Sequence, residues 1–106
     1  MYAPSFIQFS ERLRIYRYRG DLGTTQAQEL KEELLNESAR EIFIDLSDVT
    51  KTDLVAINAL AIAHKYKNIN VVLPKSAAGR QMFHITKFDR IFNVIPSIPA
   101  YLYDHE

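Results

Sequence analysis

The chain reads as a single α/β domain spanning residues 1–106, with a mixed β-sheet of four to five strands and about four helices. Three observations predict it. Short runs of β-formers alternate with helical stretches of about ten residues or more, in the order β-β-α-β-α-β-α-β-α. The connections are short, so successive strands lie near one another and the parallel pairs need right-handed crossovers. The 106 residues are 47% hydrophobic and 25% charged, an ordinary composition at a size that supports one core.

The elements follow in order. Phe6–Phe9 and Leu13–Tyr18, separated by Ser10-Glu11, suggest an antiparallel hairpin. Gly20-Asp21-Leu22-Gly23 ends the second strand. Thr25, followed three residues later by Gln28, fits a capping box, and a helix is expected from there to about Asn36, with Ala27, Leu30 and Leu34 on one face. Ile42–Leu46 reads as a buried strand because its apolar residues do not alternate strictly. Asp48 is expected in the turn after it. Asp53 caps a helix to about Tyr66 that is apolar almost all round (Leu54, Val55, Ile57, Leu60, Ala61, Ile62) and should be largely buried. Ile69–Leu73 is a further short strand, closed by Pro74. Ser76 caps a third helix, from Lys75 to Phe83 with a broken continuation to Phe92. Val94-Ile95 is a last short strand, and Pro96 or Pro99 opens a helical segment ending near Tyr103.

Charge and composition narrow the function classes. Lys+Arg and Asp+Glu are both 13, so nothing global favours nucleic acid or an anionic membrane. Arg12, Arg14, Tyr16 and Tyr18 interleave cations with aromatics on one strand face, but cross-strand packing explains them as well as base stacking does. There is no cysteine, which removes disulfides, thiolate chemistry and Cys-based zinc sites. No apolar run approaches the ~20 residues that span a bilayer. The N-terminus lacks a basic n-region and an apolar h-region, so a cytoplasmic protein is expected.

Asp45, Asp48 and Asp53 fall at or beyond a strand's C-terminal end, where α/β sheets bind ligands. A metal or phosphoacceptor role would need acidic residues from a second strand end, and a turn plus a helix cap accounts for these three. His64, His84 and His105 lack the spacing of a metal site. No serine stands in a nucleophile-elbow context. No enzyme, metal or cofactor is expected.

The stretch Ile42–Leu60, a strand, a polar turn and a helix opening on Asp53, resembles the core signature of the STAS family, the anti-sigma-factor antagonists and related domains attached to sulfate transporters. Tyr18-Arg19-Gly20-Asp21-Leu22 followed by Thr24-Thr25 looks like the family's G-x-L turn into the first helix. Phe43-Ile44-Asp45-Leu46-Ser47-Asp48-Val49 is similar to V-x-L-D-L-S-x-V. Val71-Val72-Leu73-Pro74 matches a short strand ending in a polar turn. Ile85 to Phe92 resembles L-T-G-L-D-R-L-F, and Ser97 to Leu102 fits the last helix. Each piece is weak alone; their common order and spacing is what gives the resemblance weight.

The resemblance implies a non-catalytic regulatory module that docks on a protein: an anti-sigma factor or switch kinase, a transporter ATPase, or another STAS subunit, with a homodimer also open. Its docking surface would comprise Gly20, Asp21, Leu22, Gly23 and Thr24, then Thr52, Asp53, Leu54, Val55, Ala56 and Ile57, with Lys75 and Ser76. In the phosphorylated branch the turn reads roughly Asp-Ser-Ser-Gly-Leu, and the first Ser accepts phosphate. Here Leu54 stands at that position, so the usual switch is absent, and Thr52 is the nearest candidate hydroxyl. Ala56 and Lys87 each replace a family glycine. If residue 87 needs a positive φ, lysine costs energy there that glycine avoids. The alternative is a ligand-sensing or transporter-regulatory STAS domain that uses its strand ends as a small-anion or nucleotide pocket.

Overall fold

One sheet runs through the molecule in the spatial order β1-β2-β3-β4-β5. The computed structural model describes residues 5–10 and 13–99. Its elements are β1 (Ser5–Ser10), β2 (Leu13–Leu22), α1 (Thr24–Asn36), β3 (Glu41–Thr52), α2 (Leu54–His64), β4 (Asn68–Val72), α3 (Ala77–Thr86), a 3₁₀ turn (Phe88–Arg90) and β5 (Asn93–Val94). β1 pairs antiparallel with β2, while β2, β3, β4 and β5 are mutually parallel. The sheet is thus mixed, as the element order implies.

β3 is the central strand, and it is longer than its sequence suggests. Ile42, Ile44 and Leu46 alternate toward the helices, but the next core positions are Val49 and Thr52, three residues apart. Register shifts between Arg17 and Arg19 and between Gly20 and Asp21 explain this: β3 inserts one extra residue against β2 at each. Period two therefore breaks at Ser47, which is why the sequence pattern reads as a strand ending at Leu46. Asp48 lies in this strand opposite Arg19, which corrects its reading as a turn residue.

The helices cover one face of the sheet. Leu30 and Leu34 of α1, Ile57 and Leu60 of α2, and Phe83 of α3 pack on Tyr16, Ile44, Leu46, Val49 and Val71. On the opposite face Ile15, Val72 and Ile98 form a smaller cluster with Leu13, Phe43 and Ile95. Burying a Leu or Ile side chain contributes roughly 1.5–3 kcal/mol, so the helical face supplies most of the driving force.

Several expectations change. α1 starts at Thr24 with Gly23 as its N-cap and no side-chain cap. The capping box at Thr25 is not formed because the chain enters the helix earlier, the Ala27 amide already donating to the Gly23 carbonyl at 2.9 Å. α2 ends at His64, and it is not buried all round: Leu54 and Val55 are 46% and 36% exposed. Residues 96–99 form no helix; Ile95 and Ile98 each precede a proline, which disfavours the α region. The remainder of that expected segment lies outside the described residues, as does Arg12. Tyr16 and Tyr18 are 1% and 2% exposed, so no stacking platform for bases exists on β2. Lys87 closes α3 at φ 60°, the left-handed conformation in which a glycine would be less strained.

At the end of the sheet where β3 and β4 begin, Glu37 ties three segments together. Its carboxylate accepts from the Tyr16 hydroxyl at 3.1 Å and the Ala39 amide at 2.9 Å, and it pairs with Arg14 at 3.3 Å. The Lys67 ammonium donates to the carbonyls of Glu37 and Ala39. Burial of Tyr16, reinforced by the Glu37 charge, pushes its hydroxyl pKa far above the ordinary 10.0. Burial opposes ionisation of Glu37, but the Ala39 amide, the Tyr16 hydroxyl and Arg14 together outweigh it and hold the carboxyl below its usual 4.5. A depressed carboxyl stabilises the fold above its unfolded-state value and loses that contribution as pH falls; a raised phenol does the reverse as pH rises. Urea denaturation is therefore expected to show stability declining as pH falls below 4.5 and as it rises past 10.0. Glu37→Gln should flatten the acid-side decline and cost about 2–4 kcal/mol at neutral pH, since it leaves Arg14 without its carboxylate.

Candidate functional site

The C-terminal ends of β2 and β3 bring together most of the residues singled out in the sequence. Leu22 lies in register with Thr52, so the turn entering α1 and the turn entering α2 sit side by side. Gly20, at φ +76°, has open space where a side chain would project. It is needed for its backbone conformation at the second bulge and not for room. Beyond it, Thr24 Oγ1 donates to Asp53 Oδ2 at 3.1 Å, while Asp53 Oδ1 accepts from the Ala56 amide at 3.1 Å. Asp53 thus caps α2 and locks the two turns together.

Burial divides this group into a surface and its support. Asp21, Thr24, Leu54, Val55 and Lys75 are exposed, and Gly20, Gly23, Asp53 and Ser76 are partly so. Leu22, Ala56 and Ile57 are at most 1% exposed. They anchor the turns from below. Thr52 is 5% exposed, and its hydroxyl is buried with no hydrogen-bond partner.

Lys75 and Ser76 are set back along β3 from the Asp53 turn. The Lys75 amide donates to the Ser47 carbonyl at 3.1 Å, and the Ser76 hydroxyl reaches the Val49 carbonyl at 3.4 Å while accepting from the Gly79 amide at 3.0 Å. The expected Ser76 cap is therefore formed, and the β4–α3 loop lies against the part of β3 that extends beyond β4.

Gly79 makes that approach possible, and sequence reasoning missed it. A Cβ there would lie 2.6 Å from Pro74 Cβ, 2.8 Å from the Val49 carbonyl oxygen and 2.9 Å from Ser76 Oγ. Its signal was present: an isolated glycine inside a helical pattern usually marks close packing.

The acidic residues disperse to separate tasks. Asp45 accepts from the Ser47 amide at 2.9 Å and pairs with Arg17 at 3.5 Å, Asp48 is exposed on β3, and Asp53 caps α2. Among the described residues no three His, Asp or Glu side chains group to hold a metal ion, and no helix is long and apolar enough to cross a membrane. What this edge can do chemically is present backbone turns, an apolar pair and a few charges to another surface.

The sequence matches the family model of the STAS domain over residues 7–100. The chain belongs to the STAS domain family. Solved structures agree on the fold. The STAS domain described here superposes on the crystal structure of an anti-sigma factor antagonist from Mycobacterium paratuberculosis with a TM-score of 0.76, at 20% identity, covering 92% of this chain and 88% of that one. It superposes on unphosphorylated SpoIIAA, an anti-sigma factor antagonist, with a TM-score of 0.71 at 9% identity, covering 96% of each chain. No curated protein matches the sequence. The STAS family is a non-catalytic regulatory fold, and this chain belongs to it.

Gly79→Ala tests how tightly the β4–α3 loop must sit on β3. Alanine favours a helix over glycine by about 1 kcal/mol, yet overpacking of this kind costs roughly 1–3 kcal/mol and here involves backbone. Urea denaturation should show a net loss of stability; a gain would mean that the loop does not press on β3.

Proposed function

We propose that this STAS domain works by docking on a protein partner through Asp21, Gly23, Thr24, Asp53, Leu54 and Val55, without a phosphorylation switch at position 54. The observation that carries it is the exposure of Leu54, 46%, and Val55, 36%, on the first turn of α2, fixed in place by the Thr24–Asp53 bond. Two apolar side chains at a rigid helix start form a small contact that water solvates poorly and a partner can bury. Where the phosphorylated branch carries a serine, leucine accepts no phosphate, so this contact is constitutive. That both structural neighbours are anti-sigma factor antagonists supports a protein as the partner. Anti-sigma factors or switch kinases, transporter ATPases and other STAS subunits are the partner classes that the resemblance implies.

Leu54→Glu is the informative variant, because a carboxylate in the first turn of a helix is favoured by the helix dipole and leaves the fold intact. Affinity capture from native lysate identifies the partner, and titration of the purified partner against both forms measures the contact. Loss of a buried leucine contact, worth about 1.5–3 kcal/mol, should weaken binding about tenfold or more. Equal affinity for the two folded forms would refute docking through this edge.

A further inference from the structure

The opposite end of the sheet carries a cationic concavity that the docking edge does not use. There the α1–β3 turn and the α2–β4 turn lie side by side. The Asn68 amide donates to the Arg40 carbonyl at 2.9 Å, and Lys67 holds the carbonyls of Glu37 and Ala39. Between the turns is a hollow of ≈ 670 Å³, whose lining includes Ser38, Arg40, Lys65, Tyr66 and Lys67 and contains no carboxylate. That volume is within the range of small-molecule sites.

Among the described residues no carboxylate forms an ion pair with the cations of this hollow. The described ion pairs are Arg14–Glu37, Arg17–Asp45 and His84–Asp89, and none uses Arg40, Lys65 or Lys67. Glu37 pairs with Arg14 and accepts from Tyr16 and Ala39, while Glu41 borders the hollow through Asn68, accepting from the side-chain amides of Asn68 and Asn70 at 2.7 and 2.6 Å, so one carboxylate stands beside three cations. The whole chain has a formal net charge of zero, so the hollow is a local concentration of cations. A helix dipole favours lysines just beyond α2. It does not account for Arg40, which lies beyond the end of α1 and directly before β3.

We propose that this hollow binds a phosphate monoester. A dianionic tetrahedral group suits a guanidinium fork, the Lys65 ammonium and the Ser38 hydroxyl, with the charge and the remaining N–H of Lys67 beside them. A single carboxylate would leave most of those donors and two of the three positive charges unmatched. The Tyr66 ring, 74% exposed, borders the same hollow and offers a flat apolar face to the organic part of the ester. The phosphate can belong to a free metabolite or to a phospholipid headgroup. Neither depends on the docking proposal, since the residues lie at the other end of β3.

The test is amide chemical-shift titration with inorganic phosphate at constant ionic strength, using wild type beside the double variant Arg40→Gln/Lys65→Gln. Both side chains are exposed, so circular dichroism should show an unchanged fold. Lys67 is left in place because it holds the turn. Saturable shifts confined to residues 38–40 and 64–68, about tenfold or more weaker in the variant, are expected. A second arm measures sedimentation with phosphatidic acid vesicles. Vesicle binding lost in the variant identifies a headgroup as the source, and phosphate binding without vesicle binding identifies a soluble ester. Absence of saturable shifts, or shifts of equal strength in the variant, would overturn the proposal.

Discussion

The proposed docking edge depends on β3 continuing past its neighbour. β4 stops pairing at Val72, opposite Asp45, while β3 runs on to Thr52 against β2 alone. A strand extended in this way leaves one row of backbone groups open, and in a folded protein that row has to be satisfied. Here the β4–α3 loop satisfies two of its carbonyls, through Lys75 on Ser47 and Ser76 on Val49. Two extra residues in β3 keep Val49 and Thr52 turned toward the core while the strand lengthens. The turn at Asp53 is consequently carried on a paired, packed strand and not on a free loop.

The same strand connects the two ends of the molecule. At its start, Glu37 and Lys67 join the turns that precede β3 and β4; at its finish, Asp53 joins the turns that follow β2 and β3. Each junction satisfies turn backbone with a charged side chain, where a net gain of about 1.5–3 kcal/mol per charged hydrogen bond is typical. Rigid ends on a parallel core suit a module that binds by presenting a preformed surface, because little ordering entropy is then lost on association.

Much of this was legible in the sequence. The strand core Ile42–Leu46, the helix opening on Asp53 and the Asp53 and Ser76 caps could be placed because they obey local rules that do not depend on tertiary context. The stretch Ser47–Thr52, which reads as a turn, continues β3 instead. The family resemblance followed from the same residues. The bulges were not legible, since a three-residue spacing from Leu46 to Val49 to Thr52 belongs to neither a strand nor a helix period. Nor was the division of the edge into contact and support. Leu22 and Leu54 are the same residue type in neighbouring turns, yet one is 1% and the other 46% exposed. Only the packing of α1 and α2 on the sheet decides which is which. The charge network at Glu37 joins residues 14, 16, 37, 39 and 67, separations that no local pattern reveals.

The proposed docking through Leu54 requires that the edge carrying it be held in place. If Ser47–Thr52 were a flexible loop, Leu54 would be a mobile apolar residue with little capacity to specify a partner. Native-state amide hydrogen exchange along β3 measures this directly. If the extension is rigid, the slowest amides within Ser47–Thr52 are protected to within about tenfold, or roughly 1.4 kcal/mol, of those in Ile42–Leu46. Exchange of the whole extension at loop rates, with Ile42–Leu46 still protected, would contradict a preformed docking edge.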